Sequence, residues 1–235
     1  MREMTEPAAV GEQYASTERL ETRRGVWGPG PEGVSPVDVL RTLVVSSGAR
    51  RVLEVGCGTG DFARSVLDAA PGVDYVATDL SPAMVKATRA LGVTSEVAAA
   101  DALPFADSSF DGGVAAWMLY HVPDLDGALV ELRRVLREGG CLHVVTNGHE
   151  HLGDLLREAG GEPLVTQFMS ENATEVLRRH FEHVVQRDVE TRATFPDHAT
   201  ARAYLATFAP DLADALPFFE GERTYAGRTA VLSAH

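Results

Sequence analysis

The sequence predicts a doubly wound α/β fold built on a mostly parallel sheet. From Arg51 onward, short apolar segments typical of strands alternate with stretches in which apolar residues recur at helical spacing. Such alternation favours a parallel sheet with helices on both faces, because each crossover helix returns the chain to the same end of the sheet. The chain has 235 residues, which is enough for one domain of this kind.

Seven strands and the helices around them can be placed from the pattern. The strands are predicted at Arg51–Gly56, Val73–Asp79, Ser95–Ala100, Asp111–Trp117, Cys141–Asn147, His183–Arg192 and Arg228–Ala234. The helices are predicted at about Val10–Arg24, Pro36–Ser46, Gly60–Ala70, Pro82–Leu91, Pro123–Arg137, His151–Ala159, Glu171–His180 and Asp197–Phe208. The helix over Pro123–Arg137 has the clearest periodicity, and the glycine pair Gly139-Gly140 is expected to end it.

The chain divides into an N-terminal cover and a main domain. Residues 1–34 mix charges with Gly and Pro, and we interpret them as a helical cover over residues 35–235. Within the main domain, segments at about 148–182 and 197–225 are less regular than the rest. We expect these two segments to form lids or to contact the substrate.

Composition and charge restrict the class of partner. Hydrophobic residues are 45% and charged residues 23%, as in an ordinary soluble protein, and no apolar run approaches the ~20 residues of a membrane helix. The net charge of −13 disfavours nucleic acid or an anionic membrane as a partner. The first residues lack the pattern of a secretory signal, and neither cysteine requires a disulfide, so a cytoplasmic location is expected.

A glycine-rich loop joins the first predicted strand of the parallel sheet to a helix. It reads Glu54-Val-Gly-Cys-Gly-Thr-Gly60, and its glycines permit positive φ and close approach of a ligand to the backbone. Open α/β sheets bind their ligands at the carboxyl ends of the strands, where this loop lies. Dinucleotide-binding loops read G-x-G-x-x-G, whereas here the sixth position is Asp61, which disfavours NAD(P) and FAD.

Two acidic residues follow the next two strands. Asp79 ends its strand nineteen residues beyond Gly60, where a carboxylate can accept hydrogen bonds from both hydroxyls of a ribose. The alternative is that Asp79 caps the following helix, although Ser81 is better placed to do so. Asp101 follows the third strand at the same edge of the sheet. Backbone amides and two acids at three neighbouring strand ends predict a nucleoside site.

Together these motifs resemble those of the class I S-adenosylmethionine (SAM)-dependent methyltransferases. The likeness is to the small-molecule branch, methyltransferase type 11, which includes ubiquinone-type and antibiotic-tailoring enzymes. It covers about residues 50–147, and its further motifs are Asp101-Ala-Leu-Pro-Phe105, Phe110-Asp111 and Leu136–Gly140. Gly112-Gly113 departs from the branched residues usual in the fourth strand. The resemblance implies a Rossmann-like sheet of seven strands with the last one antiparallel, SAM as methyl donor and S-adenosylhomocysteine (SAH) as product.

The resemblance also implies which residues contact the cofactor. Those expected along the methionine portion, the ribose and the adenine are Glu54, Gly56, Cys57, Gly58, Gly60, Asp79, Leu80, Asp101, the amide of Ala102, Ala116 and Trp117. From the N-terminal helix, Tyr14 would cover the cofactor and Arg23 would grip its carboxylate, since a guanidinium matches a carboxylate bidentately. A solvated charged helix with one buried tyrosine explains the same two residues equally well.

His121 is the candidate catalytic residue. It follows the end of the fourth strand, and histidine titrates in the range useful for a base if the acceptor is a hydroxyl. The architecture of the fold can also account for a histidine there. His149 and His151 are only two residues apart and lack further ligands at metal-binding spacing, so no metal site is predicted.

The sequence therefore predicts an enzyme that methylates a small-molecule acceptor, with bacterial secondary metabolism as one setting. The alternatives are a methyltransferase acting on RNA or protein and a SAM-binding protein without catalysis. The acidic charge disfavours the first, and the intact set of cofactor residues disfavours the second. Both a monomer and a homodimer are compatible with the sequence.

Overall fold

The computed structural model describes residues 22–235, and within them eight strands form a single sheet. The order across the sheet is β1-β7-β8-β6-β5-β2-β3-β4. The strands are β1 Trp27–Pro29, β2 Arg51–Val55, β3 Asp74–Asp79, β4 Thr94–Val97, β5 Phe110–Ala116, β6 Leu136–Asn147, β7 Val184–Phe195 and β8 Arg223–Ala234. Strands β2 to β6 pair in parallel, whereas β8 runs antiparallel to both β6 and β7.

The predicted α/β class and all seven predicted strands are confirmed, but the strand number is corrected from seven to eight. The additional strand is β1, which pairs antiparallel with β7 and places Trp27 opposite Ala193. Three residues containing Gly and Pro show no strand periodicity of their own. Their extended conformation comes from pairing with a neighbour more than 150 residues away in the chain.

Eight helices lie wholly within the described residues. They are α1 Pro36–Ser46, α2 Asp61–Ala69, α3 Pro82–Ala90, α4 Leu125–Val135, α5 Gly153–Glu158, α6 Ser170–Leu177, α7 His198–Ala206 and α8 Pro210–Ala215. The longest of them have 11 residues, and no helix in the described range combines the length and hydropathy needed to cross a bilayer. Most of the predicted helix over Val10–Arg24 lies outside the described residues.

Helix α4 ends earlier than its glycine pair suggested. It stops at Val135, because Leu136 is already extended and pairs with Phe110 of β5. The residues after Leu136 form an irregularity at the start of β6, in which Gly139 has φ of +73°. The glycines therefore serve a bulged strand start and not the end of the helix.

The glycine pair in β5 has a packing explanation. A Cβ at Gly113 would lie 3.1 Å from Cδ1 of Leu142, and one at Gly112 would lie 3.3 Å from the Cβ of Ala49. Leu142 belongs to a fully buried cluster on this side of the sheet. Because neither glycine has a side chain, Leu142 and Ala49 can pack directly against β5, which offsets the lower strand propensity of glycine.

The hairpin formed by β7 and β8 continues beyond the end of β6. Strand β6 ends at Asn147 opposite Thr229, whereas the β7–β8 pairing runs on to Phe195 opposite Arg223. A separate apolar core covers this extension, and it is formed by α5, α7, α8, the loops next to them and the two strands. Its largest buried members include Leu155, Leu156, Phe195, Tyr204, Phe219 and Tyr225. We call this unit the cap. It stands beside the carboxyl ends of the parallel strands, where such sheets bind ligands.

Candidate functional site

The glycine loop connects β2 to α2 in a conformation that requires glycine. Gly56, Gly58 and Gly60 have φ values of +72°, +56° and +83°. A Cβ at Gly56 would lie 2.7 Å from the Met118 side chain, and one at Gly60 would lie 2.8 Å from Thr88. The loop thus combines left-handed backbone with neighbours that leave no room for a side chain.

Asp79 is hydrogen-bonded to this loop across the sheet edge. The Gly58 amide donates to its Oδ2 at 2.9 Å, and the Ser81 amide donates to its Oδ1 at 2.8 Å. Each oxygen keeps a lone pair that can accept a further bond. Burial raises the pKa of Asp79, and the backbone amides act in the opposite direction. The Ser81 hydroxyl accepts from the Met84 amide, so the prediction that Ser81 caps α3 is confirmed.

Glu54 is a buried carboxyl group beneath the loop. It is 2% exposed and accepts a hydrogen bond from the Tyr75 hydroxyl at 3.0 Å. Burial raises its pKa to about 8, while the Tyr75 bond and the positive charge of Arg24 act in the opposite direction. The negative charges of Asp79 and Asp61 contribute to the same upward shift of the pKa. Glu54 is therefore largely protonated at neutral pH, and a cation placed beside it would favour its ionisation.

Two exposed aliphatic side chains flank Asp79. Leu80, the residue after it, is 53% exposed, and Val97 at the end of β4 is 49% exposed. In the β3–β4 register Val97 lies opposite Asp79. Large apolar groups at a ligand-binding strand edge are suited to cover a planar ring. The sequence indicated Leu80 but not Val97, because only strand register shows that Val97 lies beside Asp79.

Asp101 and Ala102 are exposed beyond the end of β4. The Ala102 amide donates to the Ala99 carbonyl at 3.2 Å and closes a small turn. The predicted contact between this amide and a ring nitrogen requires that the bond to Ala99 be shared or exchanged.

The chain leaves β5 through a strained residue. Trp117 has φ of +53°, which is unfavourable for a bulky side chain, and its amide donates to the Val145 carbonyl at 2.8 Å. This turn places the next residue, Met118, against Gly56 of the glycine loop. The Trp117 indole donates to Oδ1 of Asn147 at 2.9 Å. Strained backbone of this kind is concentrated at functional sites.

His121 lies one short turn farther on. It belongs to the 3-10 turn Leu119–His121, is 8% exposed, and donates its amide to the Met118 carbonyl at 2.9 Å. Its ring packs against Tyr120 with centroids 4.4 Å apart. Ala116, which ends β5, is partly buried on the same segment. The structure therefore places His121 near the carboxyl end of β5, three residues beyond Met118.

Arg24, which the sequence did not indicate, is the arginine bonded to the glycine loop. Its guanidinium donates to the Thr59 hydroxyl at 2.9 Å and to the Asp61 carboxylate at 2.6 Å. Arg23, which was expected to grip the SAM carboxylate, donates in this structure to Thr207 at the end of α7, through Nε at 2.9 Å and Nη2 at 2.8 Å. Adjacent residues on a helix point in different directions, and sequence alone did not show which would face the loop. The predicted contact of Tyr14 lies outside the described residues.

The histidine pair after β6 has structural contacts. His151 stacks on Trp27 with centroids 4.4 Å apart, and its Nδ1 lies 3.0 Å from the Arg228 carbonyl. Burial lowers the pKa of His151 to about 4. In residues 22–235 no group of three or more His, Cys, Asp or Glu side chains is arranged to hold a metal ion. The Cys57 side chain, within the glycine loop, is buried, and burial raises the pKa of its thiol to about 12.

The central part of the chain is similar to proteins of known family. Residues 53–144 match a family model described as a methyltransferase domain. A demethylmenaquinone methyltransferase from Thermus thermophilus is 37% identical over 109 residues, which are 44% of this chain and 50% of that protein. A ubiquinone/menaquinone biosynthesis C-methyltransferase from a Geobacter species is 39% identical over 108 residues, 42% of this chain and 46% of that protein. The chain thus matches about half the length of these curated relatives.

Solved structures share the fold over a longer range. A putative methyltransferase from Bacillus halodurans superposes with a TM-score of 0.61 at 20% identity, covering 84% of this chain and 98% of that one. The [4+2]-cyclase SpnF superposes with a TM-score of 0.65 at 20% identity, covering 96% and 95%. At this identity the likeness concerns the fold alone, and the second structure is named for a reaction other than methyl transfer.

Proposed function

We propose that this chain, whose residues 53–144 match a methyltransferase-domain model, transfers the methyl group of SAM to a small-molecule acceptor. The observation that carries the proposal is the contact between Gly58 and Asp79. It holds a carboxylate with spare lone pairs over a glycine loop that admits a ligand to the backbone.

The described residues fit the parts of SAM in order along the strand ends. Asp79 would accept bonds from the ribose hydroxyls, with Leu80 and Val97 on the faces of the adenine. The ammonium group and sulfonium centre would lie toward Glu54, whose buried carboxyl group can ionise beside positive charge. Arg24 would exchange Asp61 for the SAM carboxylate, since a guanidinium binds either carboxylate in the same way.

Methyl transfer by this chain would depend chiefly on alignment. Bound SAM supplies an activated methyl group, so the protein must hold the acceptor atom in line with it, and such alignment supplies several kcal/mol. Trp117 and Met118, which follow β5, form the wall of the site next to the glycine loop. If the acceptor is a phenol or alcohol, His121 would take its proton, because neutral imidazole is a base in the physiological range.

Phenols are the first acceptor class to test. The curated relatives are named for methylation in demethylmenaquinone and ubiquinone/menaquinone biosynthesis, and reduced quinones carry phenolic hydroxyls. The net charge of −13 supports a small molecule over RNA. A cytoplasmic location is part of the proposal and rests on the two free cysteines, Cys57 and Cys141.

Calorimetry with SAH tests the cofactor assignment. Asp79→Ala should weaken SAH binding by on the order of 1–3 kcal/mol, because the ligand hydroxyls lose their buried acceptor. Asp74→Ala is the matched control: it removes an aspartate from the other end of β3, where Asp74 forms an exposed ion pair with Arg51. Equal SAH affinity in the wild type and both variants would contradict the ribose assignment.

A turnover screen tests the reaction. SAM and a panel of phenolic, amine and thiol acceptors should yield SAH and a methylated product with at least one acceptor. SAH binding without methylation of any acceptor would favour a SAM-binding protein with another activity, as the fold shared with a cyclase allows.

A further inference from the structure

The side chain of Asn147 has its orientation fixed by two donors. It is the last residue of β6, and its Oδ1 accepts from the Trp117 indole at 2.9 Å and from the Thr229 hydroxyl at 3.3 Å. An indole N–H donates only, so the atom facing it must be the carboxamide oxygen. The assignment of oxygen and nitrogen, which is ambiguous for many asparagines, is therefore set by chemistry here.

This orientation leaves the nitrogen of the carboxamide available. Within residues 22–235 the Asn147 side chain makes these two hydrogen bonds, and Oδ1 accepts both of them, so neither uses Nδ2. Asn147 is half-buried, so the amide group borders solvent at the end of the sheet. Asn172 differs: its Nδ2 donates to the Gln167 carbonyl at 2.9 Å and its Oδ1 accepts from the Met169 amide at 2.8 Å.

The position of Asn147 in the sheet indicates what the amide faces. The sheet order runs β6-β5-β2-β3-β4, and the proposed cofactor contacts lie at the ends of β2, β3 and β4. Asn147 ends β6, on the other side of β5, and is joined to that strand through Trp117. The methyl group would lie near the end of β5, so the region over β6 is left for the acceptor.

We propose that Asn147 binds the methyl acceptor by donating a hydrogen bond from Nδ2 to one of its oxygen atoms. The site would select molecules that present a carbonyl, hydroxyl or phenolate oxygen beside the carbon or heteroatom to be methylated. This inference rests on the proposed function for the identity of the reaction. The donor itself is a property of the chain and can be observed without turnover.

Selective labelling makes this donor directly visible. The sequence contains only two asparagines, Asn147 and Asn172, so protein labelled with ¹⁵N-asparagine gives two side-chain NH₂ signals in an NMR spectrum. The probe is 1,4-dihydroxynaphthalene, titrated into the full chain with and without SAH, and naphthalene is the oxygen-free control. The Asn147 signals should shift with the diol and much less with naphthalene, while those of Asn172 stay unchanged.

Two substitutions separate donation from simple support of Trp117. Asn147→Leu removes both roles, whereas Asn147→Asp keeps an oxygen for the indole and places a second oxygen where Nδ2 stood. The probe for these variants is 1-tetralone, a ketone whose oxygen can only accept, because a hydroxyl of the diol could donate to the new carboxylate. Both variants should weaken binding of the ketone about three- to tenfold, the usual effect of losing one hydrogen bond. SAH affinity should be unchanged in Asn147→Asp, which keeps an oxygen for the Trp117 indole. The aspartate variant also retains the contact that supports the fold.

Several results would overturn the proposal. They are an unmoved Asn147 signal on binding of the diol, failure of the diol to bind at all, wild-type affinity of Asn147→Asp for the ketone, and loss of SAH affinity in Asn147→Asp. Failure of SAH to bind the wild type would instead refute the proposed function. The titration without SAH would still show whether Asn147 donates to the probe.

Discussion

The Arg24 guanidinium and the Asp61 carboxylate form an ion pair of 2.6 Å between the segment before β1 and the first turn of α2. The preceding residue, Arg23, is bonded to Thr207 at the end of α7 in the cap. A few residues farther on, Trp27 enters the sheet opposite Ala193 of β7. One short segment therefore contacts both the glycine loop and the cap. A ligand that displaces Asp61 from Arg24 would act on a segment that is also bonded to the cap.

Substitution of the two neighbouring arginines should have different effects. Arg24→Ala is expected to weaken SAH binding about five- to tenfold at low salt and less at high salt, because an exposed guanidinium–carboxylate pair is screened by ions. Arg23→Ala should leave SAH affinity near that of the wild type and lower the melting temperature, since it removes bonds to Thr207. Calorimetry measures the SAH affinity and thermal melts measure the stability of both variants. A loss of affinity in Arg23→Ala but not in Arg24→Ala would assign the SAM carboxylate to Arg23.

Binding of SAM should release a proton from Glu54. Its pKa of about 8 leaves the carboxyl group mostly protonated at pH 7, and the cationic ligand favours the ionised form. Affinity should therefore rise between pH 6 and 8. Calorimetry in two buffers of different ionisation enthalpy measures the proton release, which should disappear in Glu54→Gln. An equal proton count in the wild type and the variant would show that another group titrates.

The same carboxyl group should make the folded protein less stable at higher pH. Its pKa is raised from 4.5 to about 8 on folding, so its favourable contribution is complete below pH 4.5 and is lost as pH rises through about 8. His143 and His151, whose pKa values fall to about 4 on burial, act in the opposite direction below pH 6.5. Denaturant unfolding should therefore be compared between pH 6.5 and 8. The wild type should lose stability relative to Glu54→Gln over this interval, and parallel curves would contradict the shift.

The glycine loop should be more sensitive to alanine than a comparable turn. Gly60 and Gly92 both have positive φ, at +83° and +76°, but a Cβ at Gly60 would lie 2.8 Å from Thr88, whereas at Gly92 nothing lies within 4 Å. Both alanine variants have a strained backbone at the substituted residue. Gly60→Ala should lower the unfolding free energy by about 1–3 kcal/mol more than Gly92→Ala, because its Cβ overpacks against Thr88. It should also weaken SAH binding, because Thr88 donates to the Gly58 carbonyl at 2.9 Å. Similar stability of the two variants would show that Thr88 moves aside freely.

His121 is expected to matter for the reaction and not for cofactor binding. Once the screen yields a hydroxyl acceptor, His121→Gln should lower kcat by ~100-fold, the usual contribution of a general base, with SAH affinity retained. Glutamine keeps hydrogen-bonding capacity at this buried position without the basic nitrogen. A loss below tenfold would mean that alignment is sufficient, and a loss of SAH affinity would place His121 in the cofactor pocket.

Local sequence determined those parts of the site that depend on a few adjacent residues. The three glycines from 56 to 60 require left-handed backbone, and Ser81-Pro82 begins a helix, because these preferences act within one turn of chain. Alternation of strands and helices was enough to bring the ends of β2, β3 and β4 to one edge. Glu54 and Asp79 could therefore be placed near this edge from the sequence.

Tertiary structure decided the contacts that join distant segments. The bond between Trp117 and Asn147 depends on how β5 and β6 align, and β1 exists only because β7 offers an open edge. Which of Arg23 and Arg24 faces the glycine loop depends on how their segment is anchored at Trp27. Strand register and helix rotation are set by packing over the whole domain, since a change of one residue in either turns a side chain to a different face.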